Sequence, residues 1–137
     1  MNKEQITSIC IKVREVLEVF SRTAQAKHYY FADFPKGCCG ATTNILGHIL
    51  HSYDSSGLFE YVCREDEKTT HAWLEYNGLV IDITADQFEE CTEKVIVTSD
   101  KSFYNRFWID NLRKRIAESE MNYEEKYVLM YVIQNMK

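Results

Sequence analysis

Apolar residues at Ile9, Val13, Val16, Leu17 and Phe20 recur at intervals of three and four. That is the period of one buried helix stripe, and it predicts a helix over residues 4–22. Pro35 and Gly37 then punctuate a loop. Ile45, Leu46, Ile49 and Leu50 restore the helical period, so a second helix is expected from about Cys38–Cys39 to a point before Gly57. Further on the pattern becomes strand-like. LFEYVC at 58–63, THAWLEY, LVIDIT and KVIVT at 94–98 read as strands. The two middle runs flank Asn77-Gly78, the strongest short hairpin signal. NRFWIDNLRKRIAE at 105–118 is predicted helical, with Phe107, Trp108, Leu112 and Ile116 as its apolar positions. Asn122 caps a last helix, with Glu125 three residues on as its capping-box partner. The order implies a single α+β domain over residues 1–137, with N-terminal helices on a small antiparallel β-sheet and a C-terminal helical pair.

A two-residue Asn77-Gly78 turn sets the hairpin register. Tyr76 then faces Leu79, Glu75 faces Val80, Leu74 faces Ile81 and Trp73 faces Asp82. Opposed residues share a sheet face. Ala72, Leu74, Tyr76, Leu79, Ile81 and Ile83 therefore form a core face, and His71, Trp73, Glu75, Val80, Asp82 and Thr84 form the other. His71 becomes the diagonal neighbour of Asp82, at about 7–8 Å along the backbone and within side-chain reach. A carboxylate beside an imidazole fixes its tautomer and steadies the imidazolium, which frees the other ring nitrogen to serve a nucleophile. An ordinary cross-strand polar pair has the same spacing.

A thiol supplies the candidate nucleophile. Residues 37–42 read GCCGAT, two cysteines between two glycines. Adjacent cysteines are poor disulfide partners. At the start of the second helix they meet free backbone N–H groups and the positive end of the macrodipole, which favour thiolate. The same N–H groups can hold an oxyanion. From position alone, either Cys38 or Cys39 fits, and so does a pair of small buried residues.

Composition narrows the classes. Net charge is −5, which argues against a general nucleic-acid binder; RKR at 113–115 reads as a solvated helix face. No apolar run approaches the ~20 residues of a membrane span, and MNKEQITSIC carries no secretory signal pattern. Five irregularly spaced cysteines are not a disulfide framework and suit a reducing cytoplasm. His48 and His51 stand near the cysteines, but without a CxxC they make no metal site, and no cofactor is expected. Cys10, Cys63 and Cys91 read as structural, and Glu75 as solvent-exposed.

Taken together, Cys at a helix start, His71-Ala72-Trp73-Leu74-Glu75, a glycine turn and Asp82-Ile83-Thr84 resemble the transglutaminase-like group of the papain-like cysteine protease superfamily. The resemblance covers roughly residues 30–90. It implies a papain-like core and a Cys-His-Asp triad. Its Gly-x-Cys-x-Ala pattern falls on Gly37-Cys38-Cys39-Gly40-Ala41, which makes Cys39 the nucleophile, His71 the base and Asp82 its orienting carboxylate. Cys38, Gly40 and Trp73 are the expected substrate-binding residues. The implied chemistry is acyl transfer through a thioester, on a protein or peptide with an amide or ester group, with hydrolysis favoured over transfer. The chain departs from the group in having Gly40 where a bulky residue usually follows the cysteine. Its second oxyanion donor is unassigned, with His28, Tyr29 and Tyr30 as candidates. A catalytically silent binding module, or a toxin-type effector that deamidates or cleaves one protein, fits the same motifs.

Overall fold

A computed structural model of the chain describes residues 1–136. The hairpin organises it. Asn77 and Gly78 take positive φ, 48° and 78°, the twist that two-residue hairpin loops require. Strand β2 (Thr70–Tyr76) therefore pairs with β3 (Leu79–Asp82) through Tyr76–Leu79, Glu75–Val80 and Leu74–Ile81, the register predicted from the turn. The pairing stops there, and His71 and Asp82 lie just beyond it.

Three further strands, β1 (Glu60–Glu65), β4 (Ile96–Thr98) and β5 (Ile109–Arg115), complete an antiparallel sheet of order β4-β3-β2-β1-β5. The helices are α1 (Lys3–Ser21), α2 (Cys39–Tyr53) and α3 (Tyr123–Asn135). Asn122 and Glu125 close the predicted capping box of α3, and Asn2 with Gln5 does the same for α1. The main core joins the three helices to Leu74, Ile81 and Ile83 of the hairpin. Gly47 of α2 leaves no room for a Cβ against Ile116 and Leu74, so helix and sheet meet closely there.

The opposite sheet face is not open to water. Val62, Trp73 and Val80 pack under Tyr104 and Phe107, with Phe88 and Phe103 at the margin. The central strands are thus covered on both sides. This second cluster explains why His71 and Asp82, polar residues on the non-core face, are fully buried.

Residues 105–118 correct the sequence reading. They form no α-helix, only 3-10 turns at Tyr104–Arg106 and Ile116–Glu118, and the predicted C-terminal helical pair is instead β5 followed by the single α-helix α3. Phe107 is buried under the second face and Ile116 in the main core, while Trp108 and Leu112 are 60% and 45% exposed. Their helix-like spacing reflects burial in two separate places. The outer edge of β1 is satisfied by β5, and pairing an open edge overrides a weak helical pattern. RKR consequently lies on an edge strand, where Arg113 bonds Glu60 and Glu75. Glu75 is half-buried rather than solvent-exposed, and it also accepts from the Trp73 indole at 3.1 Å.

Candidate active site

Asp82 is the anchor. Its Oδ1 accepts from the Thr84 backbone N–H at 2.9 Å and the Thr84 hydroxyl at 3.3 Å. Its Oδ2 accepts from His71 Nε2 at 2.7 Å and from the Tyr104 hydroxyl at 2.8 Å. Both oxygens are occupied, so the carboxylate cannot turn without breaking bonds. Because Nε2–H of His71 is committed to Asp82, Nδ1 is the ring nitrogen left for chemistry. Trp73, Phe88, Tyr104 and Phe107 surround the imidazole with ring centroids 5.0–6.4 Å away. Such a wall excludes water and strengthens the His–Asp interaction.

Cys39 reaches this assembly from the first turn of α2. The His71 side chain and the Ala72 backbone N–H both act on its thiol, and each favours the thiolate. Burial opposes the thiolate, but the hydrogen bond and charge of His71 outweigh it, and the thiol lies below its ordinary value of 9.0. Burial likewise disfavours the His71 imidazolium; the charge and hydrogen bond of Asp82, helped by Cys39, raise it to about 9. The two shifts describe one pair that favours thiolate beside imidazolium.

Cys38 differs. It is the N-cap of α2 and is buried, and burial pushes its thiol up to about 12 despite a hydroxyl donated by Thr42 at 3.8 Å. Of the two adjacent thiols, only Cys39 combines a lowered value with an imidazole. Cys38 makes no side-chain cap bond to the α2 N-terminus, and the first-turn N–H groups of an α-helix have no intrahelical acceptor.

A cavity of about 410 Å³ opens on this turn. Cys38, Cys39 and Gly40 form one wall, Tyr29 and Tyr30 a second, and Glu124 with Glu125 a third. Of the three residues considered as a second oxyanion donor, Tyr29 and Tyr30 line it and His28 does not. Trp73, expected at the substrate, does not line it either; it is 1% exposed and lies behind His71. At Gly40 the Tyr61 hydroxyl comes close: an added Cβ would stand 3.0 Å from it. A bulky residue there would displace that phenol.

Three residues at the site went unread in the sequence. Tyr104 comes from a short turn, Tyr104–Arg106, with no motif of its own. Gln87 holds its amide nitrogen 3.1 Å from Thr84 O and 3.4 Å from His71 Nδ1. Arg14 of α1 is buried and forks onto Asp86 at 2.7 and 2.8 Å, which fixes the turn between Thr84 and Gln87. Among the described residues, no cluster of three His, Cys, Asp or Glu side chains is placed to hold a metal. No helix there is long and apolar enough to cross a membrane. Comparison with protein-family models finds no matching model, and comparison with curated proteins and with solved structures finds no significant match.

Proposed function

We propose that this chain is a cysteine-dependent acyl-transfer enzyme. Within that class, the reading that fits best is a transglutaminase-like enzyme with a papain-like core, acting on an amide or ester group of a protein or peptide. One observation carries it: His71 commits Nε2 to Asp82 at 2.7 Å, and the same imidazole is what draws the Cys39 thiol toward thiolate. That is the connectivity of nucleophile, base and orienting group. The order of elements, Cys at a helix start with His and Asp on successive antiparallel strands, supports the finer assignment.

The chemistry follows. His71 Nδ1 holds the proton taken from Cys39. The thiolate attacks the carbonyl carbon, a C–S bond forms, and the carbonyl electron pair moves onto oxygen. Backbone N–H groups of the first α2 turn, that of Cys39 first, receive this oxyanion. The intermediate collapses, and His71 gives its proton to the leaving amine or alkoxide. Water entering through the cavity attacks the thioester, again with His71 as base, and releases the acid.

The test is acylation by p-nitrophenyl acetate. Nitrophenolate leaves as an acetyl group is transferred to sulfur, and acid quenching preserves the thioester for peptide mass spectrometry. The expected result is acetyl on the Cys39 peptide, unchanged in Cys38→Ser and absent in Cys39→Ser. Acetyl on Cys38, or transfer that ignores Cys39→Ser, would overturn the assignment.

A further inference from the structure

Tyr104 donates to the same Asp82 oxygen that His71 uses. The two bonds, 2.8 and 2.7 Å, converge on Oδ2 inside a dry cluster, and Tyr104 is 3% exposed. A buried phenol needs a partner, but any carbonyl would satisfy it. Here the partner is the carboxylate that steadies His71. Thr84 holds Oδ1 and Tyr104 holds Oδ2, so the carboxylate is clamped from both ends. Without the phenol, Asp82 is one hydrogen bond short, and Thr84 alone is left to hold it on the imidazole.

Packing keeps the phenol in place. The Tyr104 ring meets Phe103 edge-on with centroids 5.1 Å apart, and Trp73 at 4.8 Å. Next to it, Arg106 spreads over Phe88, Phe103 and Phe107 at 5.1–5.5 Å and bonds Glu90. The segment over the second sheet face is therefore tied down by its own contacts.

We infer that Tyr104 is a positioning residue, whose hydroxyl holds Asp82 where it supports the His71 imidazolium and, through it, the Cys39 thiolate. This inference rests on the acyl-transfer reading of the site. Other titratable groups face the same cluster. Cys91 and Glu93 act on Tyr104, and Cys10 of α1 feels Asp82. On the α2 side, Tyr61 and Cys63 feel Cys39. None of these hydrogen-bonds Asp82, whose partners are His71, Thr84 and Tyr104.

The experiment is the pH profile of iodoacetamide labelling at Cys39 in the full chain, read by peptide mass spectrometry. Three proteins are compared: wild type, Tyr104→Phe and Phe103→Leu. Tyr104→Phe keeps the ring and removes only the oxygen. Phe103→Leu loosens the same cap without touching Asp82. In Tyr104→Phe the half-labelling pH moves up by about one unit, roughly tenfold slower labelling at a fixed acidic pH. Phe103→Leu leaves the half-point in place. Equal shifts in both variants, or none in Tyr104→Phe beside an activated wild type, would overturn the positioning role while leaving Cys39 the nucleophile. A wild type that labels Cys39 only at free-thiol pH overturns the acyl-transfer reading itself, and the inference with it. Should Tyr104→Phe fail to fold, NMR of the wild-type Tyr104 hydroxyl proton decides. Held on Asp82, it exchanges slowly and its shift follows the titration of His71; a fast-exchanging proton, or one indifferent to His71, refutes the clamp.

Discussion

In a His71→Ala protein, iodoacetamide labelling of Cys39 at pH 6 falls by about one to two orders of magnitude, the gap between a histidine-paired thiol and a free one. The size follows from thiolate fraction. An ordinary thiol near pKa 8.5 is only about 0.3% ionised at pH 6, whereas Cys39 in the native protein lies below its ordinary value because the hydrogen bond and charge of His71 overcome its burial. Without the imidazole, burial and the Asp82 charge raise the thiol against the Ala72 N–H alone, and burial is the largest cause that carries neighbouring Cys38 up to about 12. The variant has good reason to fold, because Asp82 keeps its bonds to Thr84 and Tyr104. The rates are read by mass spectrometry of the Cys39 peptide, and a variant within threefold of wild type would remove the basis for an activated pair.

The two halves of the pair also separate by pH. Alkylation needs only thiolate. It rises as the pH passes the lowered Cys39 value and stays high above it. Acyl transfer needs the His71 proton as well, and His71 loses that proton as the pH rises through about 9. Turnover therefore follows a bell whose upper limb belongs to His71, while labelling shows no upper limb. Both curves come from one protein sample. Coincident curves would mean that His71 does not act as the acid.

Local chemistry made the hairpin legible from sequence. Asn77-Gly78 sets a two-residue turn, the turn sets the register, and the register places His71 diagonal to Asp82. Cys39 was legible in a weaker sense. Position put a thiol at a helix start with Cys38 and Cys39 both open, and only the resemblance favoured Cys39; what separates them physically, burial and the nearby imidazole, is tertiary. Tyr104 lies 22 residues beyond Asp82 and no local spacing connects them. The β5 segment misled because Phe107, Leu112 and Ile116 serve two cores and a surface, yet their intervals imitate one helical stripe. Glu75 looked solvated because its partners, Trp73 and Arg113, are two residues away on one strand and 38 away on another.

Arg14 shows the same limit and leads to the largest stability effect. Between Val13 and Val16 nothing in the sequence singles it out, and in the fold it is 4% exposed. Its guanidinium forks onto Asp86, donates to Ile83 O at 2.8 Å and sits 4.8 Å from the Phe34 ring. It thus touches both chain segments that reach the site, the loop before Cys38 and the turn after Asp82. Arg14→Met leaves the Asp86 carboxylate and the Ile83 carbonyl without this donor, and Glu18 with only Lys94 as a cationic partner. Breaking a buried pair from one side costs about 3–5 kcal/mol, and the Asp86 side chain, 15% exposed, places this one near the lower end, about 3 kcal/mol. For a domain with roughly 5–15 kcal/mol in all, urea unfolding shifts to a clearly lower midpoint. Adding Asp86→Asn recovers part of the loss, because it removes the unpaired charge while the Ile83 carbonyl stays unpartnered. A double variant no more stable than Arg14→Met would mean that the arginine acts through packing alone. In the single variant, Cys39 labelling at pH 6 also slows, since the turn from Thr84 to Gln87 loses its brace; unchanged labelling would separate the stability of α1 from the geometry of the site.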